Sequence, residues 1–320
     1  MERRRWLGFA LIVVSAVGFG SGPLFTKSVY AAGVDWHTLM AWRFLLGAAL
    51  AWAWVLLVPE PRAALRRLDR RSVLIAVALG VMFTTNAGTY FAALETVPAS
   101  LAALIVYIYP ALVAVLTLRV GRRLEGRRAW GALALALAGV ALAVGNIDVA
   151  RMPPVSGLVL VTASPIIYSV WIVLAARYSG ERESAVGGDT GTQRDPIAAG
   201  AIMLSATAVS YWITALAVGR HVLPSQIPPS AWFGIAGVGV FATFVAILAF
   251  YGGAHRIGAA RASLVSTVEP VWTIVWASLL FGESLAPLQL VGGAMILVGV
   301  VIAQTGPAAA TATELRLADE

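Results

Sequence analysis

Apolar residues in this chain neither alternate nor recur on one helical face; they run in long blocks. Ten blocks reach the roughly 20 residues that a helix rising about 1.5 Å per residue needs to cross a bilayer. They cover 6–26, 38–58, 73–94, 99–118, 129–146, 156–176, 197–218, 231–253, 262–281 and 286–304. The pattern predicts an all-α integral membrane protein with ten transmembrane helices. Most connections are short, which favours antiparallel neighbours. The exception is 179–196, rich in Gly, Ser, Thr and charge, which reads as a flexible surface loop. The Pro- and Ala-rich tail 305–320 is expected to be disordered.

Two blocks carry an interruption of the same design. The ninth contains Glu269-Pro270 and the fourth Tyr109-Pro110, and around them Ala102, Leu104, Pro110 and Val115 recur 160 positions later as Ala262, Leu264, Pro270 and Val275. After a one-residue gap, Gly121, Leu124 and Gly131 match Gly282, Leu285 and Gly292. Each half holds five blocks, an odd number, so the second half enters the membrane from the opposite side. The expected architecture is two inverted five-helix repeats, 1–148 and 149–304, related by a pseudo-two-fold axis in the membrane plane.

Charge fixes the expected orientation. Of the 23 lysines and arginines, all but Lys27, Arg43, Arg151 and Arg220 fall on the N-terminal side of the alternation. That bias predicts cytoplasmic N- and C-termini. The opening arginines followed by Trp6 to Phe25 exceed the apolar length of a secretory signal and read as an uncleaved first span. Composition agrees: 59% of residues are hydrophobic and 12% charged, against roughly 25% charged in soluble domains. The net charge of +7 is accounted for by loop arginines, so nucleic acid is not an expected partner. With no cysteine and three scattered histidines, neither a disulfide framework nor a metal site is expected. No phosphate loop, zinc motif or nucleophilic triad stands in a fitting context, so an enzyme is not expected and no cofactor is implied.

Several of these features together resemble a known family. They are Gly20-Ser21 with Lys27 in the first span, Arg43-Phe44-Leu45-Leu46 in the second, Tyr109-Pro110 in the fourth, Glu269-Pro270 in the ninth, and Gly282-Glu283-Ser284-Leu285 with Gly292 beyond it. The chain is similar to the EamA-type branch of the drug/metabolite transporter superfamily over nearly its whole length. The resemblance implies a ten-span carrier of two inverted repeats that exports amino acids or other small metabolites. Phe19 stands where the resemblance leads one to expect tryptophan.

Glu269 leads the candidate chemistry. It lies about 10 Å into its span at about 1.5 Å per residue, and a carboxylate in hydrocarbon costs at least about 2.5–3.5 kcal/mol, which usually marks a pathway. Pro270 lacks an N–H and frees a carbonyl beside it. The pair can bind a substrate ammonium or a coupling proton; the structural alternative is an interhelical ion pair or hydrogen bond. Tyr107, Tyr109 and Pro110 form the matching element, either hydrogen-bonding a ligand or filling space. Asn86 and Tyr90 share a face of the third span and line a cavity or bridge helices. Tyr168, Trp171, Tyr251 and Trp272 form an aromatic lining or anchor and pack the bundle. Arg43 and Lys27, near outer span ends, are expected to snorkel to the interface, with attraction of an anionic group as the second reading of Arg43. Glu95 and Glu283, at span ends, are expected to be solvated and without chemistry.

The expected function is a secondary carrier for a small organic metabolite in the inner or plasma membrane, working by alternating access. Export and proton coupling through Glu269 are the favoured forms. An uncoupled facilitator and a non-transporting structural or signalling membrane protein are the alternatives. The expected partners are a small-molecule substrate and the lipid bilayer, with a homodimer as an open option.

Overall fold

The structure, a computed structural model, describes residues 2–118, 126–145, 152–178, 196–257 and 265–304. Most of the 179–196 loop, the tail 305–320 and the repeat matches at Gly121, Leu124, Ala262 and Leu264 lie outside the described residues. What is described is helical throughout. The helices are α1 (Glu2–Ala31), α2 (Trp36–Leu57), α3 (Pro59–Leu65), α4 (Arg70–Ala93), α5 (Ala99–Val106), α6 (Tyr109–Leu118), α7 (Gly126–Gly145), α8 (Val155–Tyr178), α9 (Pro196–Ala217), α10 (Ala231–Ala236), α11 (Ala246–Ile257), α12 (Val268–Phe281) and α13 (Pro287–Gln304).

Among the described residues every apolar block is largely helix, and six helices are long and apolar enough to cross a membrane. The fourth block is divided into α5 and α6 by a turn at Tyr107-Ile108. The ninth turns at Ser266-Thr267 before α12 begins. Each turn closes a few residues ahead of its proline, whose missing N–H cannot continue the helical ladder. In the eighth block, α10 passes through a π-helical stretch, Gly237–Val245, into α11. Continuous apolar sequence gives no sign of that stretch. Two further prolines, Pro23 and Pro165, sit inside α1 and α8.

Helix starts follow local chemistry. The Asp35 carboxylate accepts hydrogen bonds from the His37 and Thr38 amides at the start of α2, and Asp69 accepts from Ser72 at the start of α4. Both satisfy amides that the first turn leaves open. At the end of α12, Gly282 takes φ 65°, a left-handed cap that suits glycine.

Large apolar side chains face outward along the bundle: Leu57 is 81% exposed, Phe233 78% and Leu279 69%. Apolar surface on this scale needs a bilayer rather than water around it. Inside, Phe44, Leu39, Met40, Leu94, Ile235 and Tyr211 are fully buried. The principal packings join α7 with α13, α2 with α9, α1 with α11 and α12, and α8 with α4 and α6.

The α7–α13 contact is made backbone to backbone. A Cβ on Gly139 would meet the Gly292 carbonyl at 2.5 Å and the Ile296 amide at 3.1 Å. One on Gly299 would meet the Ala132 carbonyl at 2.7 Å and the Ala136 amide at 3.2 Å. Moving each member of the first contact to its counterpart 160 positions away yields the second. In this helix pair the offset therefore holds without the one-residue gap, pairing Gly139 with Gly299. Gly131, the match for Gly292 in the gapped alignment, has open space beside it.

Candidate functional site

The two interrupted helices lie against different neighbours, and each neighbour addresses the carbonyl just before the proline. In α6 the Tyr109 carbonyl lies 3.3 Å from Ser169 Oγ of α8, which shares its one proton between that oxygen and the closer Pro165 carbonyl of its own helix. In α12 the Glu269 carbonyl faces Gly20 of α1, where a Cβ would stand 2.8 Å from that oxygen. Thr273 Oγ1 reinforces this approach, donating to the Gly20 carbonyl at 2.8 Å and lying 3.1 Å from the Glu269 carbonyl. Gly20 is thus required for the passage of α1 over the break. Within the break, the Glu269 amide donates to the Ser266 carbonyl at 2.9 Å, closing a tighter turn than an α-helix.

The Glu269 side chain is half-buried and makes no hydrogen bond or ion pair among the described residues. The hydroxyls of Tyr90, Tyr107 and Tyr109 likewise have no hydrogen-bond partner among the described residues. The Glu269 carboxylate and these three phenols are polar groups that water or a solute can complete.

Two of these phenols belong to an aromatic group. Tyr109 packs against Tyr107 at 5.8 Å and Tyr168 at 4.8 Å between ring centroids, and Tyr168 stacks on Trp171 at 5.9 Å. Trp171 Nε1 donates to the Leu79 carbonyl at 2.9 Å, and Phe83 packs on Trp171 at 5.0 Å. Asn86 is buried, its Oδ1 accepting from Ser164 Oγ at 3.3 Å, which ties α4 to α8. Trp272 turns to α1, with Nε1 donating to Ser21 Oγ at 3.0 Å. Pro270 is buried and Pro110 partly so. Tyr251 lies on α11, with its side chain outside the described residues. The structure therefore packs Tyr107, Tyr109, Tyr168 and Trp171 in one aromatic series and leaves the Glu269 carboxylate and the Tyr90 hydroxyl without a hydrogen-bond partner among the described residues. Asn86 and Trp272 make interhelical hydrogen bonds.

Three end-of-span charges differ from expectation. Arg43 does not snorkel: it is 9% exposed, and its Nε donates to Thr243 Oγ1 in the π-helical stretch at 2.9 Å. Lys27 turns inward, its Nζ donating to the Val97 carbonyl at 2.7 Å. Glu283 accepts from the Ala99 amide at 2.9 Å and from the Ser100 amide and Oγ at 2.8 and 2.7 Å, capping α5 from far along the chain. Glu95 accepts from the Trp36 amide at 3.0 Å. Each side chain is anchored by a group distant in sequence, a side-chain hydroxyl for Arg43 and backbone groups for the others, which depth within a span does not reveal. Ser169 and Phe83 also carry contacts at the site that the sequence pattern did not single out, and Gly20 entered only through the family resemblance.

Long apolar helices with apolar outer faces define a multi-pass membrane protein. The chain matches the EamA-like transporter family twice, over residues 6–145 and 155–305, and it belongs to that family. Among curated relatives, "Uncharacterized transporter YcbK" of Bacillus subtilis (strain 168) is 25% identical over 288 residues, covering 89% of this chain and 88% of its own length. An "Uncharacterized transporter" of Archaeoglobus fulgidus is 27% identical over 300 residues, covering 92% and 96%. A solved structure titled "Crystal structure of protein" shares the fold with TM-score 0.63 at 20% identity, covering 94% of this chain and 97% of its own.

Proposed function

We propose that this protein is a secondary carrier that exports a small organic metabolite, an amino acid or a similar solute, by alternating access. The observation that carries the reading is the Glu269 carboxylate, set at a helix break inside a span with no hydrogen-bond or ion-pair partner among the described residues. Burying such a group without a partner is unfavourable, and a passing ammonium or proton supplies the partner. The ten-span, two-repeat architecture, with divisions at 1–148 and 149–304 and both termini cytoplasmic, fits this role. The exchange relation at the α7–α13 contact supports an inverted repeat. The interrupted fourth and ninth spans then form the centre around which the halves rock. Glu269 is the coupling group: it binds a proton in one orientation of the cavity and releases it in the other.

The test is flux in proteoliposomes with and without an imposed pH gradient, comparing the parent with Glu269→Gln. The carrier is expected to accelerate flux down a proton gradient, and Glu269→Gln to abolish that acceleration. Equal rates and equal pH dependence in the two proteins would refute the coupling role.

A further inference from the structure

Arg43 holds a positive charge in the protein interior with no counter-charge assigned to it. Its residue is 9% exposed, and Nη1 is sealed from solvent without a hydrogen-bond partner among the described residues. No carboxylate pairs with it among those residues. What surrounds it is neutral. Nε donates to Thr243 Oγ1 at 2.9 Å, and that hydroxyl in turn donates to the Val238 carbonyl at 2.8 Å. The guanidinium lies 4.5 Å from the Phe91 ring centroid and 5.1 Å from that of Phe44. The charged or titratable groups that sense it are the phenols of Tyr30, Tyr90 and Tyr211.

Two of those phenols are occupied: Tyr30 donates to the Phe91 carbonyl at 2.7 Å and Tyr211 to the Thr84 carbonyl at 2.6 Å. The hydroxyl of the third, Tyr90, has no hydrogen-bond partner among the described residues, and its ring packs on Phe91, the same ring that carries the guanidinium. A guanidinium fixed on one edge by threonine and clamped by two rings keeps its other edge preorganised for a planar anion, and the fork geometry matches a carboxylate.

We propose that Arg43, with Tyr90 as second donor, is the recognition point for a carboxylate on the transported solute. The proposal rests on the carrier reading and narrows it to small organic acids, zwitterions included. The solute carboxylate supplies the counter-charge that the fold omits, at a position distinct from Glu269.

The experiment measures the thermal unfolding midpoint of the purified full chain in detergent, since a ligand of the native state raises it by mass action. The probes are leucine, phenylalanine, succinate and isovalerate, each beside its amide. At least one carboxylate is expected to raise Tm of the parent while its amide does not. Arg43→Gln keeps a donor for Thr243 without the charge, and is expected to weaken carboxylate binding roughly tenfold or more and to remove the preference over the amide. Arg43→Lys restores charge without the fork and is expected to recover part of the preference. With no ligand, Arg43→Gln is expected to match or exceed the parent in Tm, whereas a purely structural arginine would lower it. The proposal is overturned if no carboxylate in the panel raises Tm, if the amides stabilise equally, or if Arg43→Gln still discriminates. Carboxylate-selective stabilisation with no flux into liposomes would remove the carrier reading and leave this site. Flux indifferent to the carboxylate would remove this site and leave the carrier.

Discussion

The Tyr109-Pro110 and Glu269-Pro270 breaks use one backbone device for two ends. Both interrupt an apolar helix shortly before a proline, and both present the carbonyl before that proline to a small residue of a neighbouring helix. At the first, Ser169 supplies a hydroxyl to that carbonyl, and the surrounding rings of Tyr107, Tyr168 and Trp171 pack the gap. At the second, Gly20 supplies nothing but room, the α1 backbone closes in, and the carboxylate that follows from the same bend is left without a partner. The first break is sealed by side chains, and the second is held by backbone proximity while its functional group stays free. A shared geometry therefore does not imply a shared role; the residue one turn away on the partner helix decides it.

Substitutions can break that contrast. The largest effect is expected from Gly20→Leu, which drives a side chain into the Glu269 carbonyl, the Trp272 ring and Thr273. Overpacking of this kind typically costs about 1–3 kcal/mol, read as a lower thermal midpoint together with lost flux. A Gly20→Leu protein as stable and active as the parent would show that the close approach is not needed. Thr273→Val removes the hydroxyl bridge from α12 to α1 while keeping its shape. A loss of about 0.5–1.5 kcal/mol is expected, and combining it with Gly20→Ala should give a non-additive result, because the two sites touch. The smallest effect is expected from Tyr109→Phe, whose hydroxyl has no protein partner. Stability should stay within about 0.5 kcal/mol of the parent, so any large change in flux would have to come from contact with the solute. A marked loss of stability in Tyr109→Phe would move that hydroxyl into the packing of the first break and erase the contrast.

Most of the helical plan was legible because a block of about 20 apolar residues has few alternatives to a helix in hydrocarbon. Both breaks were legible for a covalent reason, since proline lacks the donor the ladder needs. What escaped was set by contacts between residues far apart in the chain. Arg43 near a span end looks like a snorkelling cation until Thr243, two hundred positions away, is seen to hold it inside. Glu283 looks solvated until the α5 amides are placed against it. Of the site, Glu269 and the tyrosines stood out because polar groups are rare in such runs. Asn86 and Trp272 stood out for the same reason, yet their hydrogen bonds join helices. Polarity marks position in a span, and only the partner tells whether the group is spoken for.

The π-helical stretch Gly237–Val245 has a consequence for how the eighth span is indexed. A π-turn advances less angle per residue than an α-turn, so the faces shown by α10 and α11 are set relative to each other by that stretch and not by a uniform 3.6-residue period. The stretch acts as a gear between the two ends of the bundle, and Thr243, the tooth that meets Arg43, is cut into it.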